Sequence, residues 1–298
     1  MSTADPRQLV EDARRGGYAV GAFNVHNDET TQALLRAAEL AHSPVFLQIG
    51  RAVIPHMGLR KAFEMTERNA RDSNANYVIH LDHGSFDEVI DALRLGLSSV
   101  MFDGAHLGLD DNIRETRRVV GIAHTFGAMV EAELGRIPDA DQPVEWSSYY
   151  TDVKEAERFV AETGVDLLAI SVGVVHGVPI GRPQELAVER IKEIQAVVPV
   201  PLVLHGASGL ANHEVDAAIH NGVHKLNADT DLRHAFRRGI EQTWGQGDRQ
   251  LEEAMRLGKE LMTEATIEKM RLYGCAGRVE ARGASTVSTL SGLALELS

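Results

Sequence analysis

At 298 residues, 44% hydrophobic and 24% charged, the chain has the make-up of a globular protein and not of a disordered one. No run approaches the roughly 20 consecutive apolar residues of a membrane span. The start, MSTADPRQLV, lacks the basic flank and apolar core of a signal peptide, so a cytoplasmic location is expected. Forty-three Asp and Glu against 30 Lys and Arg leave a net charge of −13, which argues against a nucleic acid or an anionic membrane as partner. A small anionic substrate stays open.

The single cysteine, Cys275, can form neither an internal disulfide nor a cysteine metal cage, so a bound metal has to rest on His and carboxylates. Thirteen histidines are available for that. Only six lysines occur (Lys61, Lys154, Lys192, Lys225, Lys259 and Lys269), so Schiff-base chemistry has few candidates.

Aliphatic runs bounded by Gly, Asp or His recur along the chain, each followed by an amphipathic stretch of helical length. Pro6–Arg15 reads as a short helix closing the bottom of the fold. Strands then read as Ala19–Asn24, Pro44–Gly50, Tyr77–His83, Ser99–Gly104, Met129–Gly135, Leu167–Gly173, Pro201–Gly206 and His224–Asp229. Helices read at 28–41, 56–72, 86–95, 110–126, 152–163, 185–197, 212–220 and 230–242, with a long extra helix at 249–272. Eight βα units with no linker between them predict an α/β fold, a closed (β/α)8 TIM barrel in one domain over 1–277, with an extra N-terminal helix and a C-terminal helical extension. A weakly specified tail follows at 278–298. The stripe Leu251, Ala254, Met255, Leu257, Leu261 and Met262 on the last helix either docks on the barrel or forms an oligomer contact.

Barrels of this kind place their chemistry at the C-terminal ends of the strands, and polar residues collect there: Asn24, Asp82 and His83, Asp103, Glu131 and Glu133, His176, His205, Asn227 and Asp229. His83, His176 and His205 come from three strand ends that face one mouth, a ligand set with an open position for a divalent ion. His26, His42, His56, His124, His213, His220, His224 and His234 read as packing or surface residues. His80 and Asp82 share a strand face, so His83 has to turn inward where its strand ends. Glu131 and Glu133 also share a face, either beside a metal or in an ion pair with an arginine such as Arg136. The turn His205-Gly206-Ala207-Ser208-Gly209 and the helix start after Asn227-Ala228-Asp229-Thr230 stand where barrels hold a phosphate, through N–H groups and hydroxyls instead of lysines.

The segments GGYAVGAFNVHN, HLDHGSFDEVIDALRLGLSSVMFDGAH, VEAELGR, TGVDLLAISVGVVHG, PLVLHGASGL and KLNADTDLR together resemble the class II, metal-dependent ketose-bisphosphate aldolases, across residues 7 to 277. The resemblance implies zinc or another divalent ion on His83, His176 and His205, with Asp103 and Glu133 as a second metal position. It implies Asp82 as the acid/base for the C4 hydroxyl. It further implies a phosphate and monovalent-cation (Na+ or K+) site at Gly177, Gly206, Ser208, Asp229 and Thr230, and substrate contacts at Asn24 and Asn227. The reaction expected is reversible cleavage of a ketose bisphosphate, of the fructose or tagatose 1,6-bisphosphate type, to dihydroxyacetone phosphate and glyceraldehyde 3-phosphate, by a homodimer or homotetramer. No lysine stands at the inner end of strand six, and Lys225 reads as the start of strand eight, so a metal route is expected and not a Schiff base.

Departures from the family pattern bear on the substrate. Asp141 falls where the family has a mobile-loop glutamate that moves the C3 proton, in the run Ile137-Pro138-Asp139-Ala140-Asp141-Gln142. Ile49-Gly50-Arg51, Ala105 and Gly173-Val174-Val175-His176 each lack a hydroxyl usual in the family. Beyond Asp5-Pro6-Arg7 at the start of the chain there is no Asp-Pro-Arg, and Arg249 or Arg51 stands in for the arginine of the second phosphate. The alternatives are another phosphorylated keto-sugar or keto-deoxy-gluconate as substrate, and a non-catalytic partner subunit. A barrel amidohydrolase is disfavoured, because the chain has no His-x-His.

Overall fold

The structure, a computed structural model, describes residues 4–138, 149–177 and 185–279. Its eight strands are β1 (Val20–Asn24), β2 (Pro44–Ile49), β3 (Asn76–Gly84), β4 (Ser99–Phe102), β5 (Met129–Leu134), β6 (Leu167–Ile170), β7 (Leu202–Leu204) and β8 (Val223–Ala228). All pair in parallel with their neighbours in sequence, and β8 pairs with β1 to close the barrel. The helices are α1 (Pro6–Gly16), α2 (Asp28–Ala41), α3 (Val53–Met57), α4 (Leu59–Arg71), α5 (Phe86–Leu95), α6 (Leu109–Thr125), α7 (Val153–Thr163), α8 (Val188–Gln195), α9 (Asn212–His220), α10 (Thr230–Trp244) and α11 (Leu251–Leu272).

Local chemistry sets many of the boundaries. Asn27 and Ser85 cap α2 and α5 in reciprocal capping boxes with Thr30 and Glu88. Asp5 and Asp152 cap α1 and α7 with their carboxylates. The helix read at 56–72 is in fact two, because Gly58 takes φ +83° and ψ 150° and stops α3 before α4 begins. Strands β6 and β7 end earlier than the apolar runs predict. Gly173 and Gly206 turn into the left-handed region, where an added Cβ would meet the carbonyl oxygens of Glu185 and Val175 at 2.2 Å in each case.

Residues alternate across each strand between the barrel interior and the helical shell. Phe23, on β1, stacks outward on Tyr273. Phe46 on β2 points inward, edge-on to His80 and beneath the ammonium of Lys225. Full burial of such rings contributes about 2–3 kcal/mol each. Helix α1 closes the bottom as expected: Arg7 donates to the carbonyls of Gly127 and Ala128 and pairs with Asp166, all just before β5 and β6.

The C-terminal helix docks through Ala254, Gly258, Met262, Thr266 and Met270, an i, i+4 row, while Leu251 at its start is exposed. Gly258 lets α11 approach Gly239 of α10, where a Cβ on Gly239 would lie 2.5 Å from the Gly258 nitrogen. Of the segment read as a tail, Arg278 covers the Tyr18 ring and Val279 donates to the His42 carbonyl. The rest of it, 280–298, lies outside the described residues. No helix among the described residues is long and apolar enough to cross a membrane.

Candidate metal centre and active site

Strand β3 delivers two side chains to the barrel mouth by different means. Asp82 faces inward by strand alternation. His83 is one residue further on, so alternation alone would send it outward. It takes φ +53°, and the register against β4 shifts between Leu81 and Gly84. A non-glycine residue in this region costs about 1–2 kcal/mol, and the turn brings the imidazole over the barrel axis.

Each ring is then oriented by a carboxylate behind it. His83 Nδ1 lies 2.7 Å from Oδ2 of Asp103 at the end of β4, and His205 Nε2 lies 2.9 Å from Oε1 of Glu131 on β5. Each carboxylate takes the N–H of its ring, which leaves His83 Nε2 and His205 Nδ1 as lone pairs. Those two nitrogens face one another at 2.9 Å. His176 completes the set, its ring centroid 5.0 Å from that of His83 and 6.0 Å from that of His205, with its backbone N–H bonded to the Pro138 carbonyl.

Glu133 joins these three: one ligand atom from each of His83, Glu133, His176 and His205 lies within 4.8 Å of the others. Oε2 of Glu133 is buried with no hydrogen-bond partner. Burial pushes the Glu133 carboxyl up to about 8. Burial drives His176 down to about 3 and His205 well below the ordinary imidazole value, so both are neutral ligands. An orphaned carboxylate oxygen and two facing lone pairs are what a divalent cation resolves. Two nitrogens of a tetrahedral zinc site stand roughly 3.3 Å apart. The residues present fit such an ion.

Asp103 is outside the four-residue cluster. Burial opposes its ionisation, but the hydrogen bond from His83, with the Ala105 N–H and the charge of Arg51, outweighs this and holds it well below the usual carboxylate range. In this geometry it supports His83.

Asp82 sits beside the cluster as an acceptor of three amides. Gln48 and Asn227 reach Oδ1 at 3.2 and 3.4 Å, and Asn24 reaches Oδ2 at 3.2 Å. Burial pushes the Asp82 carboxyl up, but the electrostatic influence of the His83 and His205 rings and of the Lys225 ammonium outweighs this and lowers it, keeping it ionised.

The phosphate-type turn lies across the same cavity, of about 290 Å³. It is lined by Asn24, Asp82, His83, His176, Gly177, His205, Gly206, Ser208, Asn227, Asp229 and Thr230, eleven of the residues read from the sequence. Gly206 has φ +64°, Ser208 is buried, and Thr230 opens α10, whose N-terminus faces the cavity. The Asp229 carboxylate is taken up by His26 at 2.7 Å and Arg233 at 2.6 Å. It would repel a phosphate, so its place is in holding the turn. Asp141 lies outside the described residues.

The sequence reading missed three charged groups, Arg233, His26 and Lys225, and named Arg51 only as a stand-in at the second phosphate. Arg51 and Arg233 both line the cavity, so its anion sites are not built from N–H groups and hydroxyls alone. His26, read as packing, pairs with Asp229. Lys225 is fully buried inside the barrel, 2.8 Å from Oε2 of Glu131, so the cation facing Glu131 is Lys225 and not Arg136. Period two places Lys225 on the face of Asn227, and Arg233 stands one helical turn after Asp229; both signals are in the sequence.

The sequence profile described as fructose-bisphosphate aldolase class-II matches residues 4–278. The chain belongs to the class II aldolase family. It is 37% identical to a fructose-bisphosphate aldolase of Thermus caldophilus, over 91% of this chain and 98% of that one. It is 36% identical to a sulfofructosephosphate aldolase of Alkalicoccus urumqiensis, over 92% of this chain and 97% of that one. Among solved structures it resembles the YdjI aldolase of Escherichia coli K12, with a TM-score of 0.83 and 32% identity over 94% of this chain and all of that one. As a class II aldolase it is a metal-dependent carbon–carbon lyase, and the His and Glu cluster is the donor set that can hold the metal.

Proposed function

We propose that this class II aldolase cleaves a ketose bisphosphate of the fructose or tagatose 1,6-bisphosphate type, reversibly, to dihydroxyacetone phosphate and glyceraldehyde 3-phosphate, with zinc on His83, His176 and His205. The observation that carries the reading is the placement of the ligand cluster, Asp82 and the Gly206–Ser208 turn around one cavity. When bound, the ion supplies Lewis-acid stabilisation of negative charge developing on the ketone half.

The rest is done by the chain. Gly177, Gly206, Ser208 and the N-terminus of α10 at Thr230 hold the phosphate of the ketone half, beside a monovalent cation, and Asp229 fixes the turn. Asp82, positioned by Asn24, Gln48 and Asn227, takes the C4 hydroxyl proton during cleavage and returns it in condensation. Asp103 and Glu131 set the tautomers of His83 and His205, and Glu133 balances the charge of the ion. Asp141 moves the C3 proton. Assembly into dimers or tetramers in the cytoplasm is part of the same proposal, and light scattering reads the assembly.

A second reading is a substrate with a sulfonate in place of the second phosphate, because the sulfofructosephosphate aldolase is as similar to this chain as the fructose-bisphosphate aldolase. A retro-aldol screen over fructose, tagatose and sorbose 1,6-bisphosphates, sulfofructose phosphate and a keto-deoxy-gluconate phosphate tests both. Turnover of the first two supports the bisphosphate reading, preference for the sulfonate favours the second, and no turnover of any overturns both.

A further inference from the structure

Thr230, at the start of α10, is flanked by two carboxylates, Asp229 and Asp231. A carboxylate beside a helix N-terminus competes for the same positive end of the helix that an incoming phosphate uses. In a site that takes an oxyanion both charges oppose binding, and each is met by a cation from outside the turn. Asp229 is paired with His26 and Arg233. Asp231 is paired with Lys269, whose Nζ lies 2.5 Å from Oδ2, the lysine side chain being 16% and the aspartate side chain 28% exposed. Lys269 stands near the end of α11, the helix that follows the eight βα units.

The same carboxylate oxygen reaches the phosphate turn. Oδ2 of Asp231 accepts from the Gly209 N–H at 3.4 Å, and the Asp231 N–H reaches Oγ of Ser208 at 3.5 Å. Both contacts are long, so they disperse little of the Asp231 charge. The ammonium of Lys269, at 2.5 Å, is close enough to do so. The ion pair opens outward into a groove of about 560 Å³ along α9, α10 and α11, whereas Ser208 and Thr230 line the catalytic cavity. Asp231 is therefore tied to the cavity wall on one side and to Lys269 on the other. Without the ammonium, its charge is felt on the cavity side.

Resting on the aldolase reading above, we propose that Lys269 is a positioning residue for the phosphate of the ketone half, acting through Asp231. It holds the carboxylate on the outer side of the turn and neutralises it, so that the Ser208 hydroxyl and the N-terminus of α10 meet the phosphate with no opposing anion beside Thr230. The C-terminal helix is by this reading part of the binding machinery and not only a cover on the barrel. A ketone without a phosphate has no oxyanion to repel and is indifferent to Lys269.

The experiment follows proton exchange with solvent in dihydroxyacetone phosphate and in dihydroxyacetone, each catalysed by zinc-reconstituted protein. For every variant, kcat/KM with the phosphorylated ketone is divided by its own value with the uncharged one, a ratio that does not move when part of the protein is unfolded or lacks metal. Lys269→Met is expected to lower the ratio about 10-fold, through a raised KM for dihydroxyacetone phosphate at nearly constant kcat. Lys269→Arg keeps the ion pair and is expected to keep the ratio near that of wild type. Lys269→Met combined with Asp231→Asn removes the stranded charge, leaves an acceptor for the Gly209 N–H, and is expected to recover most of the loss. A ratio unchanged in Lys269→Met, or one that stays as low in the double variant, would overturn the proposal. Wild type unable to exchange a dihydroxyacetone phosphate proton with solvent would instead overturn the aldolase reading beneath it.

Discussion

Nζ of Lys225 lies 2.8 Å from Oε2 of Glu131 in the barrel interior, and both side chains are fully buried. Glu131 in turn holds His205 at 2.9 Å, so a salt bridge below the cavity floor orients a ring above it. Removing one partner of a buried pair leaves the other charge uncompensated, at a cost of about 3–5 kcal/mol. Lys225→Met is expected to lower the melting temperature on the order of 10 °C. A melting curve superimposable on that of wild type would show that Glu131 needs no cation here.

Glu131→Gln and Asp103→Asn keep shape but lose the carboxylates that fix the tautomers of His205 and His83. Each is expected to weaken zinc binding by about 10- to 100-fold, read by competition with a chelator of known affinity. If both variants bound zinc as tightly as wild type, these carboxylates would have no part in orienting the rings.

Gly206 stands at φ +64°, and a Cβ there would meet the Val175 carbonyl oxygen at 2.2 Å. Gly206→Ala therefore strains the turn and shifts the N–H groups proposed to hold the phosphate. A stability loss above about 1 kcal/mol is expected in denaturant melts, with a raised KM for dihydroxyacetone phosphate. An unchanged KM together with the stability loss would separate the turn from the anion site.

Asp229 gives a pH signature. Burial raises its pKa, but the bond to His26 and the charge of Arg233 outweigh burial and lower it. A depressed folded pKa means that the stability gained from the ionised form is complete above the unfolded value of about 3.9 and is lost as pH falls through the folded value. The melting temperature of wild type should exceed that of Asp229→Asn near pH 6, and the gap should close below about pH 4. A gap that instead grew toward low pH would contradict the pairing.

Much of the barrel was legible because each unit carries its own local signals. The capping boxes at Asn27 and Ser85 fix helix starts, and the apolar runs fix strands to within a few residues. The histidine set was legible because three strand ends of a barrel share one mouth. The parts that were not legible depend on relations between distant strands. Nothing near Lys225 in sequence announces Glu131, and nothing near Arg51 announces the rings it touches. The inward turn of His83 was required by the reading, but its cause, a left-handed residue at a register shift, is a tertiary feature. The split at Gly58 was missed because helical periodicity continues across it while the backbone does not.

The central claim is a metal-dependent centre on His83, His176 and His205 that activates the ketone half. The most direct measurement is exchange of a dihydroxyacetone phosphate proton with solvent, in zinc-reconstituted wild type, in chelated wild type and in His83→Ala. The account predicts exchange in the first and background rates in the other two. Rapid exchange that survives both chelation and loss of His83, or zinc bound stoichiometrically to wild type with no exchange at all, would contradict it.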